Sequence, residues 1–194
     1  MKLKTGLTFS AISALFSVDT SAVSRIFTQI LHHVVSATEN FIFWSARSLV
    51  QDTMPQCFRA KYGNTRLIMD CTEFRIEIPS KLDDRVWCYS HYKHGFIIKL
   101  LVGITPGVYV CFKSKAADGR QSDSQLTIES GLLDLLEEGD LVLADWGFPE
   151  IKTAFDPSGK KVLVEMPPFF SDEKEFSKEE TQETYNTTSV RIHV

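Results

Sequence analysis

The hydrophobic period of this chain changes at Asn64, and no other feature constrains the fold as strongly. Before that point apolar residues recur at helical spacing: Ile12, Leu15 and Phe16, then Val23, Ile26, Phe27, Ile30 and Leu31. After it, Thr65 to Ile78 (TRLIMDCTEFRIEI) is rich in β-branched and apolar residues. The second half of that run alternates, with Phe74, Ile76 and Ile78 on one side and Glu73, Arg75 and Glu77 on the other, the pattern of a half-buried strand. The expected organisation is a small all-α module, residues 1–52, followed by a sheet-bearing domain, residues 65–194.

Within the first module, residues 10–16 (SAISALF) predict a short helix and Ser17-Val18-Asp19 a break. Asp19 or Thr20 then caps a helix from about Ser21 to Val35. Asn40 to Val50 reads as a further helical segment, and Met54-Pro55 and Gly63-Asn64 punctuate the chain. Past Asn64, Gly95–Thr105 and Val108–Lys113 predict two strands joined into a hairpin at Pro106-Gly107. Ser124–Glu138 predicts a helix ended by Gly139. Leu141–Ala144 is the short continuous apolar run of a strand buried on both faces, and Lys161–Glu165 is a last strand stopped by Pro167-Pro168. Ser177 onward starts a helix. Antiparallel strands followed by a helix-connected buried strand make an α/β fold with a mixed sheet.

Charge and cysteines narrow the classes. The formal net charge is −4, carried by residues 171–183 (SDEKEFSKEETQE) with six acids and two lysines. The first 65 residues hold six bases and three acids, a mild lean toward an anionic partner that an ordinary solvated surface explains as well. No stretch approaches the roughly 20 apolar residues of a membrane span, so no membrane partner is expected. Cys57, Cys71, Cys88 and Cys111 show no CxxC spacing and no disulfide framework, which points to a reducing compartment. Cys88, His91 and His94 form C-x2-H-x2-H, but no fourth zinc ligand lies near in sequence. Thr8, Ser10 and Ser13 interrupt the apolar N-terminal run, so helix periodicity explains it better than a secretion signal.

Two aspartates stand where chemistry is expected. Asp70 closes the run Leu67-Ile68-Met69, and Asp145 closes Leu141-Val142-Leu143-Ala144. The carboxyl ends of strands are where open α/β sheets bind ligands. Either aspartate alone reads as a turn residue, Asp145 before Trp146-Gly147 especially. The two together at equivalent places suit a hard divalent cation, Mg²⁺ or Mn²⁺. Asp123 follows Gly119-Arg120-Gln121-Ser122, and Ser122-Asp123 looks like the N-cap of the helix from Ser124, with a supporting role near the metals as the alternative for Asp123.

The runs "NTRLIMDCTEFRIEIPS", "YSHYKHGFIIKLLVGITPG", "GRQSD", "SGLLDLLEEGDLVLADWGF" and "MPPF…FSKEE…SVRIHV", in that order, resemble the DDE superfamily endonucleases, more narrowly the Harbinger-type transposases and their domesticated relatives. The front segment, "LTFSAISALFSVDTSAVSRIF", is similar to the helix-turn-helix module that precedes that nuclease domain. The resemblance implies a ribonuclease H-like sheet with flanking helices, a divalent metal, a DNA partner, nuclear location and metal-dependent DNA cutting. Asp70 matches the family's first carboxylate and Asp145 its second. The third is a glutamate directly after a segment like "RIHV", and the sequence ends at Val194. The expectation is a C-terminally incomplete nuclease domain with impaired catalysis; the alternative is a non-catalytic DNA- or protein-binding remnant, with homo-oligomerisation open. Trp146 stands where the family usually has a basic residue, which weakens the expected DNA contact.

In a helix-turn-helix the second helix enters the major groove and shows its N-terminal side chains to base edges. Candidates are Thr20, Ser21, Ser24 and Arg25, with Gln29 one turn on; Arg25 has the reach for a guanine or a phosphate. Ser13 and Ser17 replace the usual Ala and Gly, small enough to keep the tight turn. By residues alone the helical pair packs equally well as a structural appendage. His32-His33 and Trp44, Trp87 and Trp146 read as packing or interface residues rather than metal ligands or base-stacking platforms.

Overall fold

The computed structural model describes residues 2–145 and 161–167, with Gly147, Phe148, Ile151, Lys178, Thr181, Gln182, Thr184 and Tyr185 besides. Trp146, the expected helix start at Ser177, most of the acidic run and the "RIHV" segment lie outside the described residues. Two compact units divide the chain, Met1–Ile42 and Phe43–Val194.

The first unit is helical: α1 (Lys2–Thr5), α2 (Phe9–Phe16), α3 (Thr20–Ala37) and a single 3₁₀ turn at Glu39–Phe41. Thr8 caps α2, its hydroxyl oxygen accepting from the Ala11 N–H at 3.1 Å. Ser17 ends that helix in the left-handed region at φ 52°, the conformation that a glycine would adopt without cost. The Ser13 hydroxyl donates to the Val18 carbonyl at 2.6 Å and fixes the turn. Asp19 caps α3, accepting from both the N–H and the hydroxyl of Ser21. Phe9 and Phe27 meet across α2 and α3 with ring centroids 5.6 Å apart, beside the buried Val23.

The second unit begins differently from expectation. Asn40–Val50 is not one helix: only α4 (Arg47–Asp52) is helical there, followed by α5 (Gln56–Arg59). The bulky, β-favouring run Ile42-Phe43-Trp44 stays out of the helix, and Trp44 lays its ring against the Arg66 guanidinium at 4.7 Å. The strands and helices that follow are β1 (Thr65–Arg75), α6 (Leu82–Cys88), β2 (Tyr89–Ser90), β3 (Gly95–Ile104), β4 (Val110–Lys113), β5 (Ala117–Asp118), α7 (Asp123–Glu129), α8 (Leu132–Leu135), β6 (Leu141–Leu143) and β7 (Leu163–Glu165).

The sheet runs β2-β3-β1-β6-β7, and β4 and β5 also pair with β3. β1 is antiparallel to β3 and parallel to β6, and β6 is parallel to β7, so the antiparallel and parallel halves meet at β1. The expected hairpin is present, closed by the Thr105 N–H to Tyr109 carbonyl bond at 2.8 Å. The expected single helix after residue 124 is broken. Gly131 takes φ 79°, and the Ser130 hydroxyl accepts from the Leu132 N–H at 3.1 Å to restart the chain as α8.

Helices lie on both faces of the sheet. On one, α7, α8, Phe148 and Ile151 cover Leu67, Met69, Leu101, Val142 and Ala144. On the other, Val50, Met54, Phe58 and Tyr62 cover Ile68, Leu141 and Leu143. This cover reaches only the first half of β1. Phe74 and Ile78, expected inside, are 46% and 65% exposed: β1 outruns β6 at Phe74, and Ile78 lies past the end of β1 at Arg75. All four cysteines are free thiols, and no helix among the described residues is long and apolar enough to cross a membrane.

Candidate functional site

The two sequence-picked aspartates each follow the end of the paired stretch of β1 and β6. β1 and β6 are parallel with Leu67 opposite Val142 and Ile68 opposite Leu143. Two residues further along the chain from Ile68 and Leu143 come Asp70 and Asp145. The Ala144 N–H donates to the Glu165 carbonyl at 3.0 Å, so the ladder geometry carries on past Leu143. Side chains alternate along strands, which puts Asp70 on the face of Ile68, while Asp145 follows the end of β6. Neighbouring strands are about 4.8 Å apart. Asp70 is exposed and Asp145 half-buried at the carboxyl ends of the parallel pair, and the Asp70 carboxylate accepts the Cys71 N–H at 2.8 Å.

Two carboxylates at adjacent strand ends are hard oxygen donors of the kind that Mg²⁺ or Mn²⁺ takes alongside water. Among the described residues no group of three or more His, Cys, Asp or Glu side chains is placed to hold a metal ion. The Cys88, His91 and His94 trio does not converge: Cys88 is buried, while His91 is exposed with its ring edge-on to Tyr89 at 5.2 Å.

On the opposite face of β1 stands a group that the sequence disclosed only in part. Ser122, not Asp123, is the helix cap, accepting from the Gln125 N–H at 3.1 Å. Asp123 is the first residue inside α7, and its carboxylate takes the Lys99 ammonium at 3.0 Å. Lys99 also donates to the Gln121 carbonyl at 3.1 Å and lies 3.8 Å from Glu73, which Lys93 approaches to 3.5 Å. The Cys71 thiol hydrogen-bonds to Asp123; burial, then the Asp123 and Asp70 charges, push its pKa well above the ordinary thiol range. Lys99 is the one charged residue in the apolar run Phe96–Ile104, a signal that pointed to it without naming its partner.

The other end of the same two strands is closed by ions. Asp140, just before β6, lies 2.8 Å from Arg47 and 3.6 Å from Arg66, and accepts the Glu137 N–H at 2.8 Å. The side chains of Arg66 and Asp140 are each 2% exposed. A cavity of about 150 Å³ adjoins them, lined by Arg47, Thr65, Arg66, Asp140 and neighbouring backbone.

In the helical unit, Thr20, Ser21, Arg25 and Gln29 are exposed along the start of α3, and Ser24 is half-buried. Ser21 spends its hydroxyl on the Asp19 cap. Arg25 and Gln29, one turn apart, form the outward pair. His32 and His33 are exposed further along the same helix. Trp44 packs on Arg66, while Trp87 is 56% exposed.

Residues 69–194 match the family model described as DDE superfamily endonuclease, and residues 1–37 match the one described as helix-turn-helix of DDE superfamily endonuclease. The first match begins one residue before Asp70 and spans Asp145. The mixed sheet with helices on both faces is the ribonuclease H-like architecture of that endonuclease domain. No curated protein and no solved structure matches the chain.

Proposed function

Because the chain belongs to the DDE superfamily endonucleases, a family that acts on DNA with divalent metals, we propose that it holds duplex DNA with α3 and that Asp70 and Asp145 bind the metal for cutting it. The observation that supports this reading most is the parallel β1–β6 pair, whose last registered positions, Ile68 and Leu143, each precede one of the two aspartates by two residues. A divalent ion bound there would activate water and stabilise the leaving oxygen of a phosphodiester. The residues of this chain contribute position. The parallel strands fix the spacing of the carboxylates, and the Cys71 N–H orients one oxygen of Asp70. On the helical unit, Arg25 and Gln29 read base edges or phosphate from the major groove, with Thr20 and Ser24 beside them; Ser21 serves the cap first. Nuclear location is part of the same proposal.

A two-metal site uses more than two carboxylates, and the resemblance puts the third, a glutamate, directly after a segment like residues 191–194. The test is Mn²⁺-supported nicking of duplex DNA by the chain as given and by the chain extended past Val194 with a glutamate and a helix. The extended chain nicks, and Asp70→Ala and Asp145→Ala abolish it. Equal cutting by the extended chain and its Asp70→Ala variant sinks the ligand assignment.

A second reading is binding without cutting, supported by the helix-turn-helix match over residues 1–37, which stands independently of any metal site. It predicts salt-sensitive DNA binding that Arg25→Ala weakens and Asp145→Ala leaves alone. Binding with no hydrolysis by either version of the chain selects it.

A further inference from the structure

We infer that Asp123, locked by Lys99, is a positioning residue that ties the strand end carrying Asp70 to the turn carrying Asp145. This rests on the reading of those two aspartates as metal ligands. Asp123 stands on the face of β1 that carries Cys71, opposite to that of Asp70. Its carboxylate meets the thiol of Cys71, the residue after Asp70. The same carboxylate backs onto Gly147, two residues after Asp145. A Cβ added to Gly147 would lie 2.6 Å from Asp123 Oδ2 and 3.5 Å from Asp123 Cβ and Cγ. A side chain at this position would push on the tip of the Asp123 carboxylate, which the Lys99 ammonium holds in place. One carboxylate therefore reaches both strands, beside one candidate ligand and beyond the other.

The clamp is itself held rigidly. The Lys99 ammonium sits 3.0 Å from Asp123 with its side chain 12% exposed, so the pair is largely shielded from solvent. Ser122 caps α7, and the Thr127 hydroxyl donates to the Asp123 carbonyl at 2.8 Å, which fixes the backbone from which the carboxylate projects. The Ser124 hydroxyl approaches the Gly147 carbonyl at 3.5 Å from the same helix start. An acid at the first position of a short helix would ordinarily be a surface residue favoured by the helix dipole. Here it is turned inward onto a lysine from the middle of β3. Residues that orient metal ligands without touching the metal change affinity by about 10–100-fold when removed.

Two readouts on the full chain test this. Lys99→Met/Asp123→Asn removes both charges together, so neither is stranded, and Asp123→Asn alone is the companion. The expected result is faster amide hydrogen exchange in the turn after Leu143, with Mn²⁺ affinity, followed by Mn²⁺ electron paramagnetic resonance, about 10-fold or more weaker. Thermal unfolding stays cooperative. Gly147→Ala weakens Mn²⁺ binding in the unaltered background but adds no further loss once Asp123 is Ala, because the two act through one contact. Unchanged exchange and unchanged affinity in the double variant overturn the clamp while leaving the ligand reading in place. Failure of the unaltered chain to bind Mn²⁺ in an Asp145-dependent way overturns the ligand reading, and the role given to the clamp with it.

Discussion

The two ends of the β1–β6 pair each carry aspartate, and they use it in opposite ways. At the end where the strands begin, Asp140 is buried and faces two guanidinium groups, Arg47 and Arg66. At the end where they finish, Asp70 is exposed and Asp145 half-buried, within reach of water. A carboxylate is tolerated inside a protein when it is paired and hydrogen-bonded, and one left near water keeps its affinity for an incoming cation. Residue type therefore does not separate a structural aspartate from a working one. What separates them is the charge opposite and the water within reach.

Breaking the closed end has the largest expected effect. Asp140→Asn leaves the buried Arg66 with only the exposed Glu137 carboxylate, 3.9 Å away, and costs about 3 kcal/mol, read by urea unfolding. Replacing the pair together sharpens the point: Arg66→Met/Asp140→Leu recovers most of that loss, to within about 1 kcal/mol of the original if packing holds. A pH effect comes from the thiol of Cys111, buried beneath the same sheet, where burial pushes its pKa up to about 11. The unfolded thiol ionises near 9.0, so the folded state keeps its proton while the unfolded state loses it. The stability from this group is intact below pH 9 and declines toward pH 11; Cys111→Ala flattens that decline in denaturation series. The smallest effect belongs to the open end. Asp70→Asn changes stability by no more than about 0.5 kcal/mol, as exposed substitutions do. A loss there as large as that of Asp140→Asn would erase the distinction between the two ends.

What could be read from the sequence was local. Asp70 and Asp145 announce themselves because each closes an uninterrupted apolar run, and the α2–α3 turn because Ser17-Val18-Asp19 interrupts two helical patterns. The break at Gly131 was hidden, since Leu132, Leu133, Leu135 and Leu136 continue an apolar pattern straight through it. The helix α6 was hidden by the reverse fault: Leu82, Val86 and Trp87 are exposed, so no buried stripe marks it. Partners far apart in sequence stayed invisible. Nothing local joins Arg66 to Asp140 or Lys99 to Asp123, because both are made by strand order. Burial of Phe74 and Ile78 was misjudged because alternation reports which side a residue takes, not whether anything covers it.

Ser17 has a consequence for how the helical unit can be adjusted. A serine held at φ 52° bears a penalty of about 1 kcal/mol that glycine escapes. The unit thus sits below the stability its own topology permits, and a single change in the elbow moves it upward while every outward side chain of α3 stays as it was. Grip and recognition become separately adjustable: one set by how firmly the elbow is cocked, the other by what Arg25 and Gln29 display.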